Sequence, residues 1–124
     1  MSAKRILLVE NDEFYVVVIG TFVKLFLQYD LVTTKDVTTA FEMVKAENPD
    51  LVLLDFDSFG EMALELAENM RDDCVTKLIP LLALSHDGSK RAVALGGGAS
   101  AFMQKPFKVH DLETTINAIL SSGG

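Results

Sequence analysis

Short runs of apolar residues alternate along the chain with longer stretches in which apolar residues recur every three or four positions. The short runs predict five strands, at Ile6–Val9, Leu31–Thr34, Leu51–Leu54, Leu81–Leu84 and Ala101–Met103. Two of these are continuous aliphatic segments, which are typical of central strands covered on both faces. The longer stretches predict five helices, at residues 13–28, 37–47, 61–72, 88–96 and 109–121.

Regular alternation of strands and helices predicts the overall architecture. It favours an α/β fold, a doubly wound five-stranded parallel sheet with right-handed crossovers and helices on both faces. A chain of 124 residues, 49% of them apolar, suits one domain with a substantial core. We predict that residues 1–121 form this domain and that residues 122–124 form a flexible C-terminal tail.

The first predicted helix carries more apolar side chains than one packed face requires. Only one face of a surface helix normally packs against a sheet. The surplus predicts either an exposed patch for a partner or deeper burial under larger neighbours. The apolar residues are Phe14, Tyr15, Val16, Val17, Val18, Ile19, Phe22, Val23, Leu25, Phe26 and Leu27.

Charge and cysteine content narrow the classes of function. There are 18 acidic and 11 basic residues, a net charge of −7, which argues against nucleic-acid binding by this domain. No apolar run reaches the roughly 18 residues of a membrane span, and Ile6–Val9 is too short for the core of a signal peptide. The single cysteine, Cys74, excludes an intramolecular disulfide. We therefore expect a cytoplasmic protein without membrane contact.

Polar residues follow the predicted strands where each one ends. In a parallel sheet these carboxyl ends meet at one edge, where ligands bind. The side chains expected there combine carboxylate and amide oxygens with a hydroxyl and an ammonium group. They are Glu10, Asn11, Asp55, Asp57, Ser85 and Lys105.

These residue types suit phosphoryl transfer. Hard oxygen ligands of this kind favour Mg²⁺, which often bridges protein and phosphate. The carboxylate of Asp55 can attack phosphorus to give an acyl phosphate. Lys105 and the metal can neutralise charge on the transferring group, and Ser85 can donate a hydrogen bond to it.

Four segments carry a family resemblance. Ile6–Glu10, Asp50–Asp55, Ile79–Ser85 and Lys105–Phe107 resemble the signatures of response-regulator receivers, in the right order and at the right separations. The similarity covers essentially the whole chain. It implies the flavodoxin-like (βα)5 receiver fold of two-component signalling.

The resemblance also implies a role for each site residue. Asp55 would be the phosphoacceptor and Lys105 the lysine that contacts the phosphoryl group, with a cis peptide bond between Lys105 and Pro106. The remaining implied roles divide between switching and Mg²⁺ binding. Ser85 and Phe102 would be the switch residues, and Glu10, Asn11, Asp55 and the backbone carbonyl of Asp57 would serve the metal.

The implied function is a phosphorylation switch, not an enzyme beyond its own phosphoryl transfer and autodephosphorylation. The donor would be a histidine kinase or a histidine phosphotransfer protein, whose helical bundle commonly docks on the first helix, and a downstream protein would read the altered surface. One alternative is a pseudo-receiver, an interaction module that does not use phosphorylation. A flavodoxin-like enzyme or nucleotide binder is disfavoured, because no glycine-rich loop follows the first strand.

The sequence departs from the family pattern around the site. Asn11 stands where the family has an aspartate, which predicts weaker Mg²⁺ binding and a lower pKa for Asp55. Asp12 is expected to cap the first helix. Asp57 and Asp87 are expected at the site entrance, where we hypothesise that they repel the donor or orient hydrolytic water. His86 has no partner at a recognisable spacing and is not predicted to function.

Overall fold

The computed structural model describes residues 3–122 and has a five-stranded parallel sheet at its centre. The strand order is β2-β1-β3-β4-β5, and the order reverses between β1 and β3. The strands are β1 Arg5–Val9, β2 Asp30–Thr34, β3 Leu51–Asp55, β4 Leu81–Ser85 and β5 Ala101–Gln104.

Five α-helices connect the strands or follow the last one. They are α1 Glu13–Thr21, α2 Val37–Glu47, α3 Glu61–Asp72, α4 Lys90–Gly96 and α5 Val109–Ser122. Each predicted strand and helix is therefore present, and the predicted doubly wound parallel sheet of flavodoxin-like type is confirmed.

Alternation along the strands divides the core into two layers. Ile6 and Leu8 of β1 pack with the layer that contains α1 and α5, whereas Leu7 and Val9 pack with the layer that contains α2, α3 and α4. β3 and β4 are buried along their whole length, as their continuous aliphatic sequences predict. The sheet is therefore covered on both faces, and only its edges are open to a ligand.

The first helix differs from the prediction of a single helix over residues 13–28. It is α-helical only to Thr21 and continues as a π-helical segment over Phe22–Phe26. The Phe22 carbonyl accepts from the Leu27 amide, five residues on, at 3.1 Å. The rings of Phe22 and Phe26 stack, with their centroids 5.7 Å apart.

Aspartate side chains fix where three helices begin. Asp12 accepts a hydrogen bond from the Phe14 amide and caps α1 as predicted, and Asp36 caps α2 in the same way. The fourth helix begins at Lys90, two residues later than predicted. The cause is Asp87, whose carboxylate accepts from both the amide and the hydroxyl of Ser89 and holds that segment in a turn.

The last helix ends one residue later than predicted. α5 includes Ser122, whereas the prediction ended this helix at residue 121. Gly123 and Gly124 of the predicted tail lie outside the described residues. Over residues 3–122, none of the helices combines the length and the apolar character needed to cross a membrane.

The surplus of apolar side chains on the first helix is largely exposed. Phe14 and Val17 of α1 are 64% and 55% exposed, and Leu25 and Phe26 of the π-helical segment are 68% and 73% exposed. The alternative of deeper burial is therefore wrong for these four residues. We call these four exposed side chains together the α1 patch: Phe14, Val17, Leu25 and Phe26.

Candidate functional site

Four strands bring polar side chains to the carboxyl edge of the sheet. Glu10 follows β1, Asp55 ends β3, Ser85 ends β4 and Lys105 follows β5. Each of the four is buried, although each is polar or charged. Buried polar groups of this kind require partners, and every buried side-chain nitrogen or oxygen within residues 3–122 has one.

The Lys105 ammonium lies at the centre of the site. Its Nζ is 2.9 Å from Oε1 of Glu10, 3.2 Å from Oδ1 of Asp55 and 3.9 Å from Oδ2 of Asp57. The Tyr15 ring covers it, with the ring centroid 4.2 Å from Nζ. Burial lowers the pKa of Lys105, but the carboxylates outweigh it and leave the pKa raised, so the amine stays charged.

The Asp55 carboxylate is fully buried and held by three donors. Oδ1 accepts from the Asp57 amide at 2.8 Å and from Lys105, and Oδ2 accepts from the Ser58 hydroxyl at 2.6 Å. Burial raises the pKa of Asp55, but the neighbouring Glu10 carboxyl group and the hydrogen bonds from Ser58 and the Asp57 amide lower it further than burial raises it. The group is therefore an ionised, oriented carboxylate, which is the form a nucleophile requires.

Glu10 provides the second carboxyl group of the site. Burial, followed by its hydrogen bond to Asp55, raises the pKa of Glu10 to about 7. Its Oε2 accepts from the Asp12 amide at 3.2 Å. Two carboxyl groups that face one ammonium group divide one proton unequally, and Asp55 is the one that stays ionised.

The side-chain carboxylate of Asp57 points into the site. Oδ1 accepts from the Ser85 hydroxyl at 2.6 Å, and Oδ2 accepts from the His86 amide at 3.0 Å and lies 2.8 Å from Nδ1 of the His86 ring. Burial raises the pKa of Asp57, but the bonds from Ser85 and His86 more than offset this and lower it. Asp57 is therefore an anion that binds the end of β4.

His86 connects this anion to the first helix. Because the Asp57 carboxylate only accepts, Nδ1 of His86 donates the proton of this hydrogen bond. The Tyr15 hydroxyl lies 3.5 Å from Nε2, and the two rings pack edge to face at 5.7 Å. Tyr15 thus touches both Lys105 and His86.

The oxygen donors at this edge fit Mg²⁺. Glu10 and Asp55 supply two neighbouring carboxyl groups, and the predicted additional ligands, the Asn11 amide and the Asp57 carbonyl, are neutral oxygens. No group of three or more His, Cys, Asp or Glu side chains arranged to hold a metal occurs in the described part of the chain. Mg²⁺ tolerates such a sparse set, because it keeps several of its waters.

The other residues singled out from the sequence lie in varied surroundings. Asn11 is exposed directly after Glu10. Phe102 is buried among the core residues on the α2–α4 side of the sheet. The carboxylate of Asp87 bonds to Ser89 at the start of α4, unlike that of Asp57. The Lys105–Pro106 peptide bond is cis, as the resemblance implies.

Three residues of the site were not predicted from the sequence. Ser58 lies three positions after Asp55, a spacing at which a hydroxyl can bond back to an aspartate, and this signal was available. Tyr15 is hidden in the apolar run of α1. The sequence shows no partner for His86, because Asp57 is 29 positions away and only the fold brings the two residues together.

Comparison with known proteins identifies relatives that match nearly the whole chain. The sequence model of the response regulator receiver domain matches residues 6–117. The chain is 27% identical over 126 residues to the phosphate regulon transcriptional regulatory protein PhoB of Pseudomonas aeruginosa, covering 100% of this chain and 55% of PhoB. It is 28% identical over 120 residues to the alkaline phosphatase synthesis regulator PhoP of Bacillus subtilis, covering 94% of this chain and 48% of PhoP. The chain thus spans about half the length of these relatives.

Solved structures show the same fold. A putative response regulator from Chloroflexus aurantiacus superposes with a TM-score of 0.90 at 21% identity, covering 97% of this chain and 99% of the other. The receiver domain of a sensor histidine kinase from Pseudomonas aeruginosa, with magnesium coordinated in its active-site cleft, superposes with a TM-score of 0.87, also at 21% identity, with the same coverage of 97% and 99%. On the match to the family model over residues 6–117, the chain belongs to the response regulator receiver domain family of two-component systems.

Proposed function

We propose that this domain is a phosphoacceptor switch that receives a phosphoryl group on Asp55 with the assistance of Mg²⁺. The observation that carries the proposal is the ionised, fully buried Asp55 carboxylate, whose Oδ1 lies 3.2 Å from the Lys105 ammonium. A purely structural carboxylate gains little from such burial, because desolvation opposes the gain from ion pairing. An acceptor benefits, because the same ammonium neutralises the arriving phosphoryl oxygens.

The proposed reaction is a direct displacement at phosphorus. An oxygen of the Asp55 carboxylate forms a bond to phosphorus while the bond from phosphorus to the donor imidazole nitrogen breaks, and that nitrogen is reprotonated. Lys105 compensates the negative charge of the transferring group, and the Ser85 hydroxyl donates to one of its oxygens. Mg²⁺, when bound by Glu10, Asp55, Asn11 and the Asp57 carbonyl, supplies further charge neutralisation.

The α1 patch supports a protein donor rather than a small molecule. Phe14 and Val17 are exposed on α1, the helix whose Tyr15 side chain reaches the Lys105 ammonium. A groove of about 480 Å³ continues this surface and is lined by Val17, Val18, Thr21, Phe22, Phe26 and Val109. A helical bundle that carries the donor histidine, from a histidine kinase or a histidine phosphotransfer protein, can cover these exposed apolar side chains. Phe14 adjoins Tyr15 at the site, and Phe26 lies towards the opposite edge of the sheet.

The downstream effect is a change of partner preference. Phosphorylation adds charge beside Ser85, and Phe102 lies on the neighbouring strand β5, so we propose that these two residues transmit the change to the surface of α4, β5 and α5. PhoB and PhoP are named as transcriptional regulators, and this chain matches about half of each. The acidic domain itself is not proposed to bind nucleic acid, and its cytoplasmic location stays a prediction.

Treatment with acetyl phosphate tests the proposal. With Mg²⁺ present, the intact mass of the wild-type protein should increase by one phosphoryl group, and Asp55→Ala should show no increase. Asp30→Ala, at an exposed carboxylate on the opposite edge of the sheet, is the control and should react like wild type. No Asp55-dependent gain with or without Mg²⁺ would favour the pseudo-receiver instead.

A further inference from the structure

The Asp57 side chain occupies donors that the acceptor reaction needs. Its carboxylate accepts hydrogen bonds from the Ser85 hydroxyl at 2.6 Å and from the His86 amide at 3.0 Å. It also lies 3.9 Å from the Lys105 ammonium. Ser85 and Lys105 are the groups assigned above to the phosphoryl oxygens. A hydroxyl has one proton to donate, so Ser85 cannot bond Asp57 and a phosphoryl oxygen at the same time.

The orientation of the Ser85 hydroxyl is fixed by a second contact. Its oxygen accepts from the Asp87 amide at 3.0 Å, which leaves its proton directed towards Asp57. The Asp57 carboxylate is held from its other side by Nδ1 of His86 at 2.8 Å. The Asp57 side chain is 27% exposed and accepts from three groups, the Ser85 hydroxyl and the amide and ring Nδ1 of His86, whereas the His86 side chain is 53% exposed.

We propose that Asp57 is an internal anion that fills the phosphoryl pocket of the resting protein and must leave before Asp55 can be phosphorylated. The inference rests on the proposed function and deepens it by naming the residue that regulates access to the same site. A phosphoryl group on Asp55 would require the Ser85 hydroxyl and the Lys105 ammonium, and a second anion in contact with both is repelled. Asp57 is a positioning residue in this account, because it acts through Ser85, His86 and Lys105.

The carboxylates of Asp57 and Asp87 make different contacts. Both are acids near the end of β4, but the Asp87 carboxylate bonds to the amide and hydroxyl of Ser89 and not to the pocket. Asp87→Asn is therefore a matched control for Asp57→Asn. It removes one negative charge from the same neighbourhood and leaves the pocket donors as they are.

Binding of inorganic phosphate tests the proposal without any covalent step. Phosphate is titrated into the wild-type protein, Asp57→Asn, Asp57→Ala and Asp87→Asn, and the amide signals of Ser85 and His86 are followed by NMR. Loss of the competing anion should tighten phosphate binding about tenfold or more in Asp57→Ala, with Asp57→Asn between it and wild type. Equal affinity in all four proteins, each shown to be folded by its spectrum, would overturn the proposal.

The rate of phosphorylation by acetyl phosphate provides the second readout. In this reaction the bond from phosphorus to acetate breaks as the bond to Asp55 forms. Asp57→Ala should react about tenfold faster than both wild type and Asp87→Asn. If Asp57→Ala reacts at the wild-type rate or more slowly, the Asp57 carboxylate does not compete with the phosphoryl group for Ser85 and Lys105.

The two hypotheses fail in distinguishable ways. If Asp57→Ala binds phosphate more tightly but no variant is phosphorylated on Asp55, the internal anion stands and the acceptor function fails. If wild type is phosphorylated on Asp55 but neither phosphate affinity nor rate responds to Asp57→Ala, the acceptor function stands and the internal anion fails.

Discussion

Nζ of Lys105 lies 3.2 Å from Oδ1 of Asp55, although the two residues are 50 positions apart in the sequence. The contact is fully buried, and the same ammonium is 2.9 Å from Glu10. Lys105 therefore has two functions in this account. It stabilises two buried carboxyl groups in the resting protein, and it neutralises charge during the proposed transfer.

Replacing Lys105 with methionine should impair both functions. Removing one partner of a buried ion pair is expected to lower the free energy of unfolding by about 3 kcal/mol. Loss of charge stabilisation should slow phosphorylation by acetyl phosphate by a factor of about 10². Chemical denaturation and a time course of intact mass give the two quantities.

Lys108→Met is the control for this change. Lys108 is exposed three residues further on, so its replacement should leave stability within about 0.5 kcal/mol and the rate unchanged. A Lys105→Met protein as stable and as reactive as Lys108→Met would contradict the central position of Lys105.

Asn11→Asp should strengthen Mg²⁺ binding. Asn11 follows Glu10 at the end of β1, and as a ligand it would offer the metal a neutral oxygen in place of a charged one. A unit charge about 4 Å from the ion is worth on the order of 4 kcal/mol at an effective dielectric constant of 20, and desolvation offsets part of this, so we expect at least tenfold tighter binding. Isothermal titration calorimetry measures it.

Asn69→Asp serves as the comparison for Asn11→Asp. Asn69 is exposed on α3. Its replacement with aspartate changes the net charge by the same amount but away from the site. If both substitutions tighten Mg²⁺ binding equally, the effect is a general one of charge, and Asn11 has no place among the ligands.

The α1 patch should be required for a protein donor and not for a small one. Phe14→Ser and Phe26→Ser change side chains that are 64% and 73% exposed, so stability should change little. Transfer from a phosphorylated histidine kinase or phosphotransfer protein should slow about tenfold, because each variant loses an aromatic side chain that would be buried against the partner. The rate with acetyl phosphate should stay at the wild-type value.

Leu78→Ser is the matched control for the patch. Leu78 is 89% exposed and lies in the segment that leads into β4, outside α1 and its π-helical continuation. It should leave transfer from the protein donor unchanged. Equal slowing by Leu78→Ser and Phe14→Ser would show that the α1 patch is not the docking surface.

Tyr15 should act through its ring more than through its hydroxyl. The ring centroid is 4.2 Å from the Lys105 ammonium, whereas the hydroxyl is 3.5 Å from His86, at the limit of a hydrogen bond. Tyr15→Phe should therefore change the acetyl phosphate rate by less than about twofold, and Tyr15→Leu should lower it about fivefold. The opposite ranking would assign the function to the hydroxyl.

The fold was predictable from local patterns, since each strand and helix has its own periodicity. The edge of the sheet was predictable as well, because parallel strands all end there and Glu10, Asp55, Ser85 and Lys105 each follow or end a strand. The roles of these residues came from the resemblance and not from the periodicity.

The contacts of Asp57 and His86 were not predictable in this way. The sequence predicts Asp57 at the entrance, with a role for its backbone carbonyl, but its side chain contacts Ser85 and His86. Which of two nearby acids, Asp57 or Asp87, enters the site depends on loop geometry that no periodicity records. The change from α-helix to π-helix at Phe22 depends in the same way on tertiary packing.

The most direct test of the central claim is chemical identification of the phosphorylated residue. The protein is treated with acetyl phosphate and Mg²⁺, the acyl phosphate is reduced with borohydride, and the resulting homoserine is located by peptide mass spectrometry. The account predicts homoserine at position 55, no homoserine at Asp57, and no 5-hydroxynorvaline, the corresponding product of a glutamyl phosphate, at Glu10. Reduction at Asp57 or Glu10, or no reduced residue in the whole chain, would contradict it.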